Sequence, residues 1–146
     1  MRIIVQKFGG TSVADEGARE KARDRVIRAK KEGLDPVVVV SAMGRRPQPY
    51  ATDSLLDLVR NRNLPVDPRG LDLLASCGEV ISSVVMAGYL TAAGHEAVPL
   101  TGAQAGILTN AEFGDANILA INTARLLDVL ASGRIPVVAG FQGVTD

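Results

Sequence analysis

The sequence predicts an α/β fold with a mainly parallel sheet and helices on both of its faces. Short runs of apolar, often β-branched residues alternate with longer segments of helical spacing, and these segments have the length of helical crossovers. Residues 37–40 are four consecutive valines, which indicates a strand covered on both faces because no polar residue interrupts it. The chain of 146 residues is 47% hydrophobic and 22% charged, which is typical of one folded domain.

The N-terminal third is predicted to contain two strands and the helix that connects them. The first strand covers residues 2–8, and the second covers residues 36–41. Between them, small apolar residues recur near helical spacing over residues 15–32, and Gly33 follows as a stop. Residues 42–50 are rich in glycine, proline and arginine and are predicted to form a loop.

Two helices are predicted in the middle of the chain. Thr52 or Asp53 is expected to cap a short helix, because both side chains can accept a hydrogen bond from a backbone amide. Asp67 and Pro68 are expected to cap and open a long helix that runs toward Gly94. The apolar side of this long helix is predicted to carry Leu71, Leu74, Ile81 and Val85.

The remaining third is predicted to contain strands around one more helix. The strand candidates are residues 96–100, 107–109, 118–121 and 135–139. Residues 123–132 are predicted to form a helix.

Composition and charge exclude several classes of function. Sixteen basic and sixteen acidic side chains cancel, so the chain offers no broad cationic face to a nucleic acid. Cys77 is the only cysteine, which excludes a disulfide within one chain and suits a reducing compartment. The N-terminus lacks the pattern of a signal peptide, and the apolar run 80–90 is too short to span a bilayer. We therefore expect a cytoplasmic protein without membrane or nucleic-acid partners.

The first candidate site lies directly after the first strand, in the sequence Lys-Phe-Gly-Gly-Thr-Ser. Gly9 and Gly10 let the backbone approach a ligand closely, and their amides can face an anion together with the Ser12 hydroxyl. Lys7 adds a positive charge that can reach a phosphoryl oxygen. From the residues alone, an ordinary glycine turn beside a solvated lysine explains the pattern slightly better. The glycine spacing matches neither the Walker motif nor the dinucleotide-binding motif.

Glu79 and Ser41 are the other candidates that the residues themselves indicate. Glu79 lies among apolar residues of the long helix, where a carboxylate without a partner is costly. A substrate ammonium would supply that partner; a solvated position or an arginine pair is the alternative. Ser41 ends the tetravaline strand, where active-site hydroxyls lie in parallel sheets, although it would also serve as a simple strand end.

Five sequence blocks in this order resemble aspartokinases over the whole chain. They are residues 7–12, 39–44, 77–79, 100–106 and 137–143. Residues 49–56 resemble the longer-loop bacterial form of these enzymes. The resemblance implies an amino-acid kinase or carbamate kinase-like fold.

The same resemblance implies an activity and a set of site residues. Aspartokinases transfer the γ-phosphoryl group of MgATP to the β-carboxylate of aspartate, the first step of lysine, threonine, methionine and diaminopimelate biosynthesis. The residues it assigns are Lys7 for catalysis, Lys7, Gly9, Gly10 and Ser12 for the nucleotide phosphates, and Ser41, Thr52 and Glu79 for the substrate. No metal site of the protein is expected, because Mg²⁺ arrives with the nucleotide.

The resemblance also sets the expected extent of the domain. Residues 1–146 correspond to the N-terminal part of an amino-acid kinase domain, without the C-terminal nucleotide-binding part and the ligand-sensing domains. The chain by itself is therefore expected to be inactive, and to form a homodimer or associate through an exposed sheet edge. The alternatives are a non-catalytic dimerisation module, a kinase for another small acidic metabolite, and an oxidoreductase on a dinucleotide fold.

Overall fold

The computed structural model describes residues 1–145, which form six strands and four α-helices. The strands are β1 (Ile3–Phe8), β2 (Asp35–Val40), β3 (Ala97–Leu100), β4 (Ile107–Thr109), β5 (Ile118–Ile121) and β6 (Ile135–Ala139). The helices are α1 (Glu16–Lys31), α2 (Thr52–Arg60), α3 (Pro68–Ala92) and α4 (Ala124–Ala131). A short 3₁₀ turn over Gly10–Val13 follows β1.

Four of the strands form one parallel sheet in the order β1-β2-β6-β3. The strands β4 and β5 pair separately as an antiparallel hairpin. The predicted α/β class is confirmed, and the predicted strands and helices lie within two residues of the observed ones.

Both faces of the sheet are buried, as the tetravaline segment predicts. Val38 and Val40 join the larger core, which α1 and α3 cover. Val37 joins a second core on the opposite face, where Leu130 of α4 packs. Successive residues of a strand point to opposite faces, so an uninterrupted apolar run is what a strand between two cores requires.

The helix starts confirm one predicted cap and correct another. Asp67 caps α3, because its Oδ1 accepts a 2.7 Å hydrogen bond from the Gly70 amide. The predicted capping of α2 by Thr52 or Asp53 is wrong. The cap position is Ala51, and no side chain accepts a hydrogen bond there.

The side of α3 that faces the sheet is not its most apolar side. Leu71, Leu74, Ile81 and Val85 are only half-buried. The buried residues of α3 are Gly78, Glu79, Ser82, Ser83, Met86, Ala87 and Leu90. Most of them are small, which lets the helix axis approach the sheet closely.

By length and composition alone, α3 could cross a membrane. Its 25 residues contain a sufficiently apolar window of 18 residues, which extends beyond the apolar run 80–90 that is too short by itself. The core helix of a globular protein passes the same test, and one such helix is weak evidence for a membrane span. In the structure α3 packs against β2, β3, β6, α1 and α2.

The carboxyl ends of the parallel strands bring several loops together. The Ser41 amide donates a 3.0 Å hydrogen bond to the Phe8 carbonyl, and the Gly140 amide donates a 2.9 Å bond to the Val40 carbonyl. The segments that follow β1, β2 and β6 therefore begin side by side at one edge. In open α/β sheets this edge is where ligands bind.

Candidate active site

The turn after β1 leaves backbone amides available to a ligand. Gly9 is extended (φ −72°, ψ 169°) and precedes the 3₁₀ turn, whose Ser12 amide donates a 2.9 Å bond to the Gly9 carbonyl. Within residues 1–145, the amides of Gly10 and Thr11 have no acceptor. A Cβ atom added to Gly9 would meet nothing within 4 Å. An anion can therefore approach this turn without displacing protein atoms.

Gly10 connects this turn to the loop after β2 by a hydrogen bond. Its carbonyl accepts a 2.9 Å bond from the Gly44 amide. A Cβ atom on Gly10 would lie 2.9 Å from the carbonyl oxygens of both Ala42 and Gly44. The two loops thus approach each other at a distance that only glycine permits at this position.

Lys7 lies one residue before the end of β1, opposite Val39 of β2, and is exposed. With Thr11 and Ser12 it lines a cleft of about 470 Å³ beside α1, and Lys21 and Arg25 of α1 line the same cleft. Asp15 lines this cleft as well, so three basic side chains and one acidic side chain give it a net positive charge, which suits a phosphate.

Glu79 is buried, with 7% of its surface exposed. Its Oε1 accepts a 3.3 Å hydrogen bond from the Ala42 amide. Burial raises the pKa of the Glu79 carboxyl above its ordinary value, and the hydrogen bonds from its own amide and from Ala42 oppose that rise. In the described part of the chain, no lysine or arginine forms a salt bridge with it. Solvation and an arginine pair, the two non-functional interpretations, are therefore wrong within residues 1–145.

The two hydroxyl candidates lie close to the same backbone segment. Ser41 directly precedes Ala42 and is half-buried. Thr52 is the first residue of α2 and is also half-buried. It follows Tyr50 by two residues, and a Cβ atom on Gly78 would lie 3.1 Å from the Tyr50 carbonyl oxygen. The start of α2 thus lies against α3 beside Glu79.

A chain of direct contacts joins the turn after β1 to the buried carboxylate. Gly10 contacts Gly44, Ala42 lies between Gly10 and Glu79, and Gly78 precedes Glu79 against Ala42. Lys7 lies at the same edge of the sheet, but within residues 1–145 no hydrogen bond or salt bridge connects it to Glu79. That Lys7 and Glu79 face one cavity stays a prediction.

Sequence reasoning missed Gly78, whose role follows from packing. A Cβ atom there would lie 2.8 Å from the Ala42 Cβ and 3.3 Å from the Leu55 Cδ1. A glycine inside a helix costs about 1 kcal/mol relative to alanine. That unfavourable residue directly before a buried acid was the available signal for close contact.

Arg45 and Arg46 are both exposed, but Arg46 also has a charged partner. Arg46 forms a two-point ion pair with Asp57 of α2, with its Nη2 and Nε each 2.8 Å from a carboxylate oxygen. This pair connects the loop after β2 to the middle of α2. Nothing in the sequence distinguishes Arg46 from Arg45, because the partner of Arg46 becomes apparent only once α2 has packed.

Comparison with known proteins identifies the family of the chain. The model of the amino acid kinase family matches residues 2–146. Aspartokinase 1 of Bacillus subtilis (strain 168) is 53% identical over 146 residues, which are 100% of this chain and 36% of that protein. The chain thus spans about a third of the length of this curated relative.

Two crystal structures show the same fold. Aspartate kinase from Synechocystis has a TM-score of 0.78 at 38% identity, over 99% of this chain and 22% of that chain. Aspartokinase III of E. coli, in complex with aspartate and ADP, has a TM-score of 0.72 at 24% identity, over 100% of this chain and 42% of that chain. The second likeness bears on the fold alone. The predicted resemblance to aspartokinases is confirmed, and the chain belongs to the amino acid kinase family.

Proposed function

We propose that this chain is the N-terminal part of the catalytic domain of an aspartate kinase, which transfers the γ-phosphoryl group of ATP to the β-carboxylate of aspartate. The observation that carries this proposal is the buried Glu79. Its carboxylate bonds the Ala42 amide, in the same loop that holds the glycine turn after β1. One short segment, residues 42–44, therefore contacts both the turn proposed to face an anion and the carboxylate proposed to bind a cation.

The turn after β1 is the proposed contact with the nucleotide phosphates. The open approach to Gly9 and the unbonded amides of Gly10 and Thr11 support this assignment. The hydroxyl of Ser12 lines the same cationic cleft as Lys7. We assign to Lys7 the positive charge that stabilises the phosphoryl group during transfer, with Mg²⁺ supplied together with ATP.

No general base is needed at this site. The β-carboxylate of aspartate, with an unperturbed pKa of about 3.9, is already ionised near neutral pH. Catalysis then depends on placing this carboxylate in line with the γ-phosphate and on compensating charge. The residues proposed here, which bind and orient, match that requirement.

Glu79 is the proposed contact with the α-ammonium group of aspartate. An opposite charge within hydrogen-bonding distance would favour the ionised carboxylate, whose pKa burial raises in the free chain. Ser41 and Thr52 flank the Ala42 segment and are proposed to bind the substrate with their hydroxyls. A kinase for another small acidic metabolite is the alternative within the family.

Further sequence is proposed to complete the catalytic domain and to hold adenine and ribose. The aligned region covers 36% of Aspartokinase 1, so residues 1–146 alone are expected to be inactive. Within the described residues, β1 and β3 are the edge strands of the sheet, and Ile3 and Val5 on β1 are 48% and 64% exposed. An uncovered apolar edge favours association, and we propose a homodimer in the cytoplasm.

The test is an acyl-phosphate trapping assay on the complete polypeptide that the gene encodes. Aspartate, MgATP and hydroxylamine are expected to yield aspartyl hydroxamate, and glutamate is offered as a competing acceptor. Because it removes a charged partner of the ammonium, Glu79→Gln is expected to raise the KM for aspartate at least about tenfold, with a change below about twofold for ATP. Glu96→Gln, an exposed glutamate before β3, serves as the matched control.

Two outcomes would contradict the proposal. Absence of hydroxamate with aspartate in the complete protein would refute the activity. An unchanged KM for aspartate in Glu79→Gln would refute the assignment of Glu79 alone.

A further inference from the structure

Arg19 is a half-buried cation that bridges three elements below the candidate site. Its Nη1 donates a 3.0 Å hydrogen bond to the carbonyl of Val13, the last residue of the 3₁₀ turn. The same nitrogen lies 3.7 Å from the sulfur of Met43, in the loop after β2. The guanidinium carbon lies 5.6 Å from the ring centroid of Tyr89 on α3.

The contacts of Arg19 differ from those of Arg23, which is also half-buried and lies on the same helix. Arg23, one turn further along α1, forms salt bridges with Glu20 and Asp24. Arg19 forms no salt bridge within residues 1–145, and its Nε is buried without a hydrogen-bond acceptor there. Within residues 1–145, this half-buried guanidinium contacts a carbonyl, a sulfur and a ring, and so it does not serve as half of an ion pair.

Met43 places Arg19 in the centre of the contact chain across the site. Three consecutive residues of the loop after β2 each contact a different partner. The Ala42 amide bonds Glu79, the Met43 sulfur contacts Arg19, and the Gly44 amide bonds the Gly10 carbonyl. Displacement of Met43 would therefore move both the glycine turn and the carboxylate.

We propose that Arg19 is a positioning residue that fixes the turn after β1 and the Ala42–Gly44 segment relative to each other, so that the phosphoryl group and its acceptor meet in line. This inference rests on the proposed kinase function. Arg19 itself touches neither substrate. It acts through the Val13 carbonyl on the turn and through Met43 on the segment that bonds Glu79.

The chemistry of the side chain explains why arginine suits this position. A cation at the carbonyl end of a helical turn interacts favourably with the aligned backbone dipoles, and it leaves the amide end free for an anion. The planar guanidinium can donate to a carbonyl and stack on an aromatic ring at the same time, in a fixed geometry. Lysine can reproduce the hydrogen bond but not the stacked plane.

The inference is tested with Arg19→Met and Arg19→Lys in the complete polypeptide, by the hydroxamate assay and by thermal unfolding. Methionine keeps most of the apolar stem but donates no hydrogen bond, whereas lysine keeps a donor. A misplacement of about 1 Å can lower the rate about 100-fold, so we expect Arg19→Met to lower kcat about 10- to 100-fold. The kcat of Arg19→Lys is expected to be at least about threefold higher than that of Arg19→Met.

Arg23→Met is the matched control, because it removes the same charge from a half-buried position of α1 whose ion-pair partners, Glu20 and Asp24, lie on the same helix. Its kcat is expected to change less than about twofold. Kinetics are measured well below each variant's Tm, so that unfolding does not enter the rate. If Arg19→Met does not fold, Arg19→Lys is compared with the unmodified protein instead. We then expect the kcat of Arg19→Lys to be at least about threefold lower at an equal Tm.

The outcomes separate this inference from the proposed function. An unmodified protein without aspartate kinase activity would overturn both. An active protein in which Arg19→Met and Arg19→Lys have equal kcat values, or in which a folded Arg19→Met keeps full kcat, would overturn the positioning role alone. A loss of Tm with kcat unchanged would mean that Arg19 only stabilises the fold.

Discussion

Gly10→Ala tests whether the turn after β1 and the loop after β2 are in contact as the structure describes. The added methyl carbon would lie 2.9 Å from two backbone carbonyl oxygens, those of Ala42 and Gly44. Neither is the flexible end of a side chain, so the backbone has to move. The backbone angle φ of Gly10 is not in the positive range, so the effect is steric and not conformational.

The expected size of the effect follows from these distances. Ordinary carbon–oxygen contacts are about 3.3 Å or longer, so each new contact would be about 0.4 Å too short. Overpacking of this kind costs about 1–3 kcal/mol, whereas replacement of glycine by alanine stabilises by about 0.4–1 kcal/mol through the unfolded chain. We therefore expect the free energy of unfolding of Gly10→Ala to fall by about 1–2 kcal/mol.

Gly9→Ala is the matched control for this prediction. Gly9 has φ −72°, and an added Cβ atom would meet nothing within 4 Å. Replacement of glycine by alanine lowers the entropy of the unfolded chain equally in both variants. The difference between their free energies of unfolding, measured by urea titration, therefore reports the steric cost of about 1–3 kcal/mol. Equal midpoints for the two variants would show that the close approach of the two loops does not exist in solution.

Two further predictions concern the pH dependence of folding and a helix cap. Burial raises the pKa of Glu79, so the folded chain binds more protons than the unfolded chain between the ordinary value of 4.5 and the raised value. This group's contribution to stability is therefore largest below pH 4.5 and is lost as the pH rises through the raised pKa. Urea unfolding should consequently show Glu79→Gln gaining stability relative to the unmodified chain between pH 4 and pH 7, and a constant difference would contradict this. Asp67→Ala removes the cap of α3 and should lower the free energy of unfolding by about 0.5–2 kcal/mol in the same titration. Thr123→Ala, at a helix start without a side-chain cap bond, should change it by less than about 0.5 kcal/mol.

The sheet could be predicted from the sequence because its signals are local. Residues 37–40 include no polar residue, and both hydrophobic cores contain valines of this run. The starts of α1 and α3 were also predictable, since Asp15 and Asp67 each accept a hydrogen bond from an amide three residues ahead. In each case the responsible atoms lie within a few residues of one another along the chain.

The orientation of α3 could not be predicted, because it depends on what packs against the helix. Hydrophobicity favours the side of Leu74 and Ile81, but close approach to the sheet favours the side of Ser83 and Ala87. The second effect prevails where the loop after β2 lies against the helix. The two-point pair between Arg46 and Asp57 is equally non-local, and the sequence contains no sign of which arginine forms it.

Glu79 links these two failures of prediction to function. On burial, the carboxylate of Glu79 loses its hydration and accepts a 3.3 Å hydrogen bond from the Ala42 amide. This arrangement opposes folding when the carboxylate is charged. Residues that oppose folding are concentrated at functional sites, because a group that binds a ligand can be unfavourable for stability. Binding of an ammonium group would relieve that conflict, so the ligand should stabilise the folded chain through Glu79. At the same concentration, aspartate should therefore raise the Tm of the complete protein more than that of its Glu79→Gln variant, even in the absence of catalysis.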